Sequence, residues 1–201
     1  MKTARPALLP ILRSQTQAEI LALVLLRPAE EFTLRQIGDH VSAPSAVVHR
    51  EISLLVDSSL FVDRRVGRTR VVRANQASTL FRPLTELLST TYGVTAELAR
   101  AFAPVTGIDQ AFVHGSWAAR HSGATGPEPR DIDVLVVGRA DRRALFTAAA
   151  EAEKRLLREV NVHQVSTQDW ENNDEGFLAT VKSRPLVQLD LAAESDGKRA
   201  A

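Results

Sequence analysis

The chain has 201 residues, of which 44% are hydrophobic and 24% charged, and its formal net charge at pH 7 is +1. This is the composition of an ordinary globular protein, and it excludes disordered, collagen-like and low-complexity classes. The absence of cysteine excludes a disulfide framework, a thiolate zinc site and a cysteine nucleophile. The longest apolar run, Leu21–Leu26, is far shorter than the ~20 residues that span a bilayer. We therefore expect a cytoplasmic protein with no membrane partner.

The charge is distributed unevenly along the chain. Residues 1–75 contain eleven Lys and Arg against seven Asp and Glu, whereas residues 76–201 contain fourteen against seventeen. A basic first part and an acidic second part indicate different partners for the two halves, and a basic surface favours nucleic acid.

The basic part of the chain predicts three helices followed by a hairpin. Thr33 and Gln36 have the spacing of a capping box at the start of the second helix. The hairpin alternates apolar and charged residues, carries five arginines and turns at Gly67. In chain order the predictions are helices over Thr16–Leu26, from Thr33 to Val41 and over Ser45–Ser58, and a hairpin over Phe61–Arg73.

Three helices, the last two joined by a tight turn, and a basic hairpin resemble the winged helix-turn-helix of the ArsR-type bacterial regulators. The resemblance covers about residues 14–75 and implies a DNA-binding domain over residues 1–75, with double-stranded DNA as the partner and transcription regulation as the role. The third helix can enter the major groove, and the hairpin arginines can contact phosphates. The alternative is a winged helix that binds protein. The predicted DNA-binding residues are Ser45, His49, Arg50, Arg64, Arg65, Arg68 and Arg70.

Residues 76–103 predict a helical connector. Leucines recur at helical spacing from Leu80 to Leu88, and a second short helix follows over Thr95–Phe102. Helices that flank the winged domain often form the dimer in ArsR-type proteins, so the resemblance implies a homodimer.

The acidic part contains two predicted strands joined by a turn, a short helix and a loop. The first strand, Ala111–Val113, ends just before Gly115 and Ser116, and the second, buried strand begins with Asp131. Because side chains alternate along a strand, Asp131 and Asp133 project from the same side, and their carboxylates can converge on a divalent ion. Gly115 allows close backbone approach, and N–H groups at the helix start can hold a phosphate.

This order of a strand, a Gly-Ser turn, a loop and an Asp-x-Asp strand resembles the DNA polymerase beta-type nucleotidyltransferases, particularly the minimal bacterial members. The resemblance covers about residues 95–190 and implies a nucleotidyltransferase-like domain over residues 104–201 that uses Mg²⁺ and a nucleoside triphosphate, with ATP expected. The predicted nucleotide-binding residues are Gly115, Ser116 and Arg120, and the predicted Mg²⁺ ligands and catalytic acids are Asp131 and Asp133.

The remaining elements complete a mixed sheet with flanking helices. The predicted fold class is therefore α+β/α/β: a winged helix-turn-helix, a helical connector and a nucleotidyltransferase-like mixed sheet. The last predicted elements are a helix capped by Asp141, a strand over Val160–Val165, a helix over Asp174–Ser183, a strand over Pro185–Leu191 and a frayed tail from Ala192.

The sequence departs from the family pattern at the third carboxylate. Active members usually carry an acid on the strand after the long helix, where it serves as base and second metal ligand; Asn161 stands at that position here. A carboxamide takes no proton at neutral pH, so His163, which has the same strand parity, is the predicted substitute base. Asp190 is acidic but lies one strand late. For Asp133 the alternative to a metal is an ion pair with an arginine.

Three functions follow as hypotheses. The first is a DNA-binding regulator whose second domain binds a nucleotide, and the second is an active transferase that modifies a protein or nucleic-acid hydroxyl. The third is a DNA-binding protein whose second domain serves only assembly. The missing acid at Asn161 favours the first and third, whereas the intact Asp131 and Asp133 favour the first and second.

Overall fold

The chain is a mixed α/β protein with two separate sheets. The computed structural model describes residues 12–127, 129–172 and 175–191. The chain divides between Gly93 and Val94 into two compact units. Within the described ranges, no helix has the length and apolar character needed to cross a membrane.

The first unit builds helices around a small antiparallel sheet with the strand order β1-β3-β2. The central helix is α1, whose residues Ile20–Leu25 are almost fully buried. In chain order the elements are α1 (Gln15–Leu25), β1 (Phe32–Thr33), α2 (Leu34–Val41), α3 (Ser45–Asp57), β2 (Phe61–Val66), β3 (Thr69–Ala74) and α4 (Phe81–Tyr92).

Local chemistry fixes the junction between α2 and α3. The predicted capping box is confirmed: the Thr33 hydroxyl accepts from the Gln36 N–H at 3.2 Å, and the Gln36 side chain accepts from the Thr33 N–H at 2.8 Å. The helix α2 ends at Val41, its C-cap Ser42 has a left-handed φ of 50°, and α3 begins directly after Pro44. Only three residues therefore separate the two helices.

A buried ion pair ties the start of α1 to α3. Glu51 is only 3% exposed, and Arg13 donates two hydrogen bonds to its carboxylate, at 2.6 and 2.7 Å. Gln17 adds a longer contact at 3.4 Å. Because a buried carboxylate is costly unless it is paired, Arg13 stabilises the helical core at this point.

We expect Arg13→Ala to lower the free energy of unfolding by about 1–3 kcal/mol, because it leaves a buried charged group largely unsatisfied. Urea denaturation measures the change. Arg35→Ala is the matched control, since Arg35 is exposed and lies 3.8 Å from Asp39, and such surface pairs contribute about 0–1 kcal/mol. Equal losses of unfolding free energy in the two variants would show that the pairing of Arg13 with buried Glu51 contributes no special stability.

The second unit contains a four-stranded mixed sheet with the order β6-β5-β4-β7. The pair β5–β6 is parallel, and β4 is antiparallel to both β5 and β7. In chain order the elements are α5 (Val94–Phe102), β4 (Ile108–His114), α6 (Gly115–His121), β5 (Asp131–Gly138), α7 (Arg142–Leu156), β6 (Glu159–Val165), α8 (Thr167–Asn172), α9 (Gly176–Lys182) and β7 (Val187–Gln188).

The two faces of this sheet are covered differently. The face that carries Ile132, Val134 and Val136 packs against α5 and α7 in the main core of the unit. On the other face, Leu135 packs against α9. Asp131 and Asp133 share that second face, because side chains alternate along β5. The carboxylates therefore lie on the face that the larger core leaves open.

The segment predicted as a connector belongs to both units. In α4, Leu88 packs into the core of the first unit, whereas Leu98 and Phe102 of α5 pack into the core of the second. Each helix buries an apolar stripe in its own unit, so residues 76–103 divide at Gly93.

Three late elements differ from the sequence prediction. The helix α8 was not predicted, and the strand predicted over Pro185–Leu191 is only the two-residue β7. The helix α9 begins at Gly176, and the predicted start at Asp174 lies outside the described residues, as does the tail from Ala192. Asp141 caps α7 as predicted, accepting from the Ala144 N–H at 2.9 Å.

Candidate functional site

A basic groove lies in the first unit between the start of α2, the outer face of α3 and the β2–β3 hairpin. Its volume is about 640 Å³. Four arginines and one histidine contribute to its walls, so its lining is strongly cationic. The residues of the basic groove are Thr33, Leu34, Arg35, His49, Arg65, Arg68, Thr69 and Arg70.

Strand alternation directs the hairpin arginines into the groove. Arg65 and Arg70 lie opposite each other across β2 and β3. They share the sheet face of Phe61 and Val72, which are buried in the core of the unit. Because this face is the one turned toward the helices, the hairpin extends beyond the core with Arg65 and Arg70 directed toward α3.

The cations of the groove differ in their partners. Arg70 is held by the Asp63 carboxylate at 2.6 Å and by the Ser53 hydroxyl at 3.3 Å. In contrast, His49, Arg65 and Arg68 are exposed, and each lacks a hydrogen bond or ion pair within the described part of the chain. These three side chains are therefore available to an anionic ligand, while Arg70 braces the hairpin against α3.

Arg64, predicted to bind DNA with its neighbour, lies on the opposite face of the hairpin. Its Nε donates to Glu31 at 2.9 Å, and Arg73 lies 3.9 Å from the same carboxylate. The hydrogen bond from Arg64 lowers the pKa of Glu31, and Glu31 raises the pKa of Arg64. Two of the five hairpin arginines are thus partly neutralised away from the groove.

The other predicted DNA-binding residues are exposed on α3 but do not line the groove. Ser45 occupies the first position of α3, and Arg50 lies 3.5 Å from the Glu51 carboxylate. Sequence reasoning missed Arg35, which lines the groove from the first turn of α2. Its position within the capping box placed Arg35 in the first turn of α2. Only the packing of α2 shows that this first turn faces the hairpin.

In the second unit, strand register brings four polar side chains together at one end of the sheet. Asp133 lies opposite His114 of β4 and beside Asn161 of β6. The Asn161 Nδ2 atom lies 3.5 Å from an Asp131 oxygen and 3.4 Å from an Asp133 oxygen. Asn161 therefore places an amide next to both carboxylates.

The backbone at Gly115 passes close to the Asp133 carboxylate. Its φ is +74°, and a Cβ atom at this position would collide with the Asp133 carboxylate. A side chain at this position would therefore strain the backbone and displace the Asp133 carboxylate. Ser116 follows on the exposed side of α6.

The predicted arginine partners do not contact the carboxylates. Arg120 donates to the Ala124 carbonyl at 2.6 Å, in the loop after α6. Among the described residues, neither Arg120 nor Arg130 forms an ion pair with Asp131 or Asp133. The alternative prediction, an ion pair between Asp133 and one of these arginines, is therefore not found in the described residues. Nucleotide binding by Arg120 stays a prediction.

Asp190 lies away from the carboxylate pair. The neighbouring Leu189 donates its N–H to the Ala111 carbonyl, so Asp190 runs alongside the first half of β4. Asp133 pairs with His114 at the other end of that strand. Asp190 therefore does not replace the missing acid at Asn161.

A cluster of three rings adjoins the carboxylates. His114 and His163 have ring centroids 6.2 Å apart, and Phe177 of α9 lies 5.9 Å from the first and 5.4 Å from the second. His114 is 7% exposed, and its Nε2 has no hydrogen-bond partner among the residues that the structure describes. Burial lowers the pKa of His114, against the opposing effect of Asp133. Sequence reasoning missed His114 and Phe177, although His114 directly precedes the Gly-Ser turn.

We expect the stability of the second unit to fall as the pH drops below the usual histidine pKa of about 6.5. The unfolded chain takes up a proton there that folded His114 resists, because its folded pKa is depressed. Urea unfolding at pH 7.5 and 5.5 should show a smaller acid loss in His114→Phe than in wild type. His121→Gln is the control, because His121 is exposed. If His114→Phe lost as much stability as wild type between pH 7.5 and 5.5, His114 would not be the cause of the pH dependence.

Asp131 and Asp133 are the side chains of this cluster that could hold a divalent cation. Two carboxylates with substrate oxygens and water form the usual Mg²⁺ shell, and these oxygens project from the open sheet face. Within the described ranges, no group of three or more His, Cys, Asp or Glu side chains is placed to hold a metal. Two carboxylates alone leave most of a Mg²⁺ coordination shell to other ligands.

Comparisons with protein-family models, with curated proteins and with solved structures each found no match to this chain.

Proposed function

We propose that this protein is a DNA-binding regulator whose second unit has a nucleotidyltransferase fold and binds Mg²⁺ with a nucleoside triphosphate. The first unit is then a winged helix-turn-helix of the ArsR type, with α3 as the recognition helix and the β2–β3 hairpin as the wing. The observation that carries the proposal is the basic groove with His49, Arg65 and Arg68, which have no hydrogen bond or ion pair to any residue that the structure describes.

The groove supports DNA binding through its charge and its position. A DNA duplex presents closely spaced phosphates, and each one neutralised by Lys or Arg releases counterions. Arg65 and Arg68 supply such cations beside α3, whose exposed N-terminal half carries Ser45 and His49. The first turn of α2 also lines the groove, and helix N-termini favour phosphate. Base contacts from α3 and phosphate contacts from the hairpin then divide the recognition between them.

The carboxylate pair supports nucleotide binding in the second unit. When bound, Mg²⁺ would be held by Asp131 and Asp133 and would neutralise phosphate charge. Gly115 keeps the space beside Asp133 free of a side chain, so that the Gly115–Ser116 turn can approach a phosphate. Asn161 provides no carboxylate for a second ion, which favours binding over catalysis.

Two binding measurements test the two parts of the proposal separately. Fluorescence anisotropy with a labelled DNA duplex should show binding whose affinity falls steeply with salt. Thermal unfolding with Mg²⁺ and ATP should show stabilisation, since a ligand at 100 times its Kd adds about 2.7 kcal/mol. Absence of salt-dependent DNA binding would overturn the first part, and absence of any nucleotide-dependent shift would overturn the second.

An active nucleotidyltransferase is the second candidate, favoured by the exposure of His163. This ring lies on β6 two residues beyond Asn161 and has the same strand parity, so it faces the side of the sheet that carries Asp133. A neutral imidazole there can accept the proton of an attacking hydroxyl. Transfer of radiolabel from α-labelled ATP to a protein or nucleic acid, lost in His163→Ala, would establish this activity.

A further inference from the structure

We infer that Phe177, together with His163, forms a stacking platform for the base of the nucleotide whose phosphates lie at Asp131 and Asp133. This inference rests on the nucleotide binding proposed above. Phe177 is a large apolar side chain that is 49% exposed, and packing within the described residues does not account for this exposure.

The helix α9 holds Phe177 in a defined position beside the carboxylates. Leu178 and Val181 of the same helix are buried against Leu135 and fix α9 to the sheet. Phe177 is thereby placed next to the rings of His114 and His163, with centroids 5.9 and 5.4 Å away. The exposed ring is thus supported by neighbours on one side and open on the other.

The strand register sets the separation between this platform and the phosphate site. His163 lies two residues beyond Asn161 along β6, and two residues span about 6.6 Å of strand. Asn161 is the residue that contacts both carboxylates. A ligand anchored by its phosphates at Asp131 and Asp133 therefore needs a short spacer before its planar group reaches Phe177, as a ribose provides.

The chemistry of the cluster favours a planar, polar-edged ring over an aliphatic group. Aromatic side chains stack on nucleobases because every base has a π face. His163 offers a second exposed ring, whose centroid lies 5.4 Å from that of Phe177. A nucleobase presents the flat face that these two rings can contact.

The test compares two probes on the full chain, Mg²⁺–ATP and Mg²⁺–tripolyphosphate, by isothermal titration calorimetry. Phe177→Leu keeps an apolar side chain but removes the flat ring. We expect it to weaken ATP binding by about 5- to 100-fold and to leave tripolyphosphate binding unchanged. Phe146→Leu is the matched control, because Phe146 is 63% exposed on α7, which packs on the other face of the sheet.

The outcomes separate this inference from the function on which it rests. If ATP binding is lost in Asp133→Asn but unchanged in Phe177→Leu, the platform is refuted and the proposed function stands. If wild type binds neither probe, both are refuted. Equal weakening of both probes by Phe177→Leu would also refute the platform, because it would show that α9 supports the phosphate site rather than the base.

Discussion

Replacing Arg65 and Arg68 together by alanine is expected to weaken DNA binding by about 10- to 100-fold at moderate salt. Both side chains line the basic groove, and neither has a protein partner within the described chain. Each arginine that contacts a phosphate contributes about one unit to the slope of log affinity against log salt concentration. The double variant should therefore shallow that slope by about two units, as measured by fluorescence anisotropy over a range of salt concentrations.

The matched control removes two arginines from the other face of the same hairpin. Arg64 and Arg73 both lie against Glu31, which partly neutralises them. We expect Arg64→Ala with Arg73→Ala to change affinity by less than about threefold, with little change in slope, since these charges lie away from the groove. If the two double variants weakened binding equally, net charge rather than the groove would explain DNA binding.

Arg64 and Arg65 show which features of the first unit could be predicted from the sequence and which could not. Helices, the turn between them and the hairpin follow from local patterns, and the capping box at Thr33 was predicted residue by residue. Alternation alone implied that neighbouring arginines face opposite ways. Which face meets α3 depends on Phe61 and Val72 entering the core, and the neutralising Glu31 is 33 residues from Arg64.

In the second unit, too, local features could be predicted from the sequence, whereas contacts between distant segments could not. The common face of Asp131 and Asp133 was predictable because it depends only on the alternation within one strand. The neighbours of Asp133 depend on strand order, which is set by long-range packing. The parallel β6 brings Asn161 beside Asp133. The antiparallel β4 adds His114, and α9 adds Phe177 from a part of the chain with no motif.

Asp133→Asn is expected to abolish the thermal stabilisation of the second unit by Mg²⁺ and ATP. The substitution keeps the shape of the side chain but removes one of two carboxylates, and divalent ions in such sites are held largely by carboxylate charge. A shift of several degrees in wild type should disappear, as measured by differential scanning fluorimetry. Asp141→Asn is the control, because asparagine also caps a helix and the same charge is lost from the second unit beyond the other end of β5.

Gly115→Ala should remove the same response for a different reason. The added Cβ collides with the Asp133 carboxylate and also strains a backbone with φ of +74°. We expect a loss of about 1–3 kcal/mol in the free energy of unfolding and a displaced carboxylate. Gly123→Ala separates the two effects, since Gly123 has φ of +95° but no atom within 4 Å of its Cβ position. If Gly123→Ala abolished the nucleotide response as fully as Gly115→Ala, backbone strain alone would explain the loss. A response lost only in Gly115→Ala would show that nucleotide binding depends on the space between Gly115 and the Asp133 carboxylate.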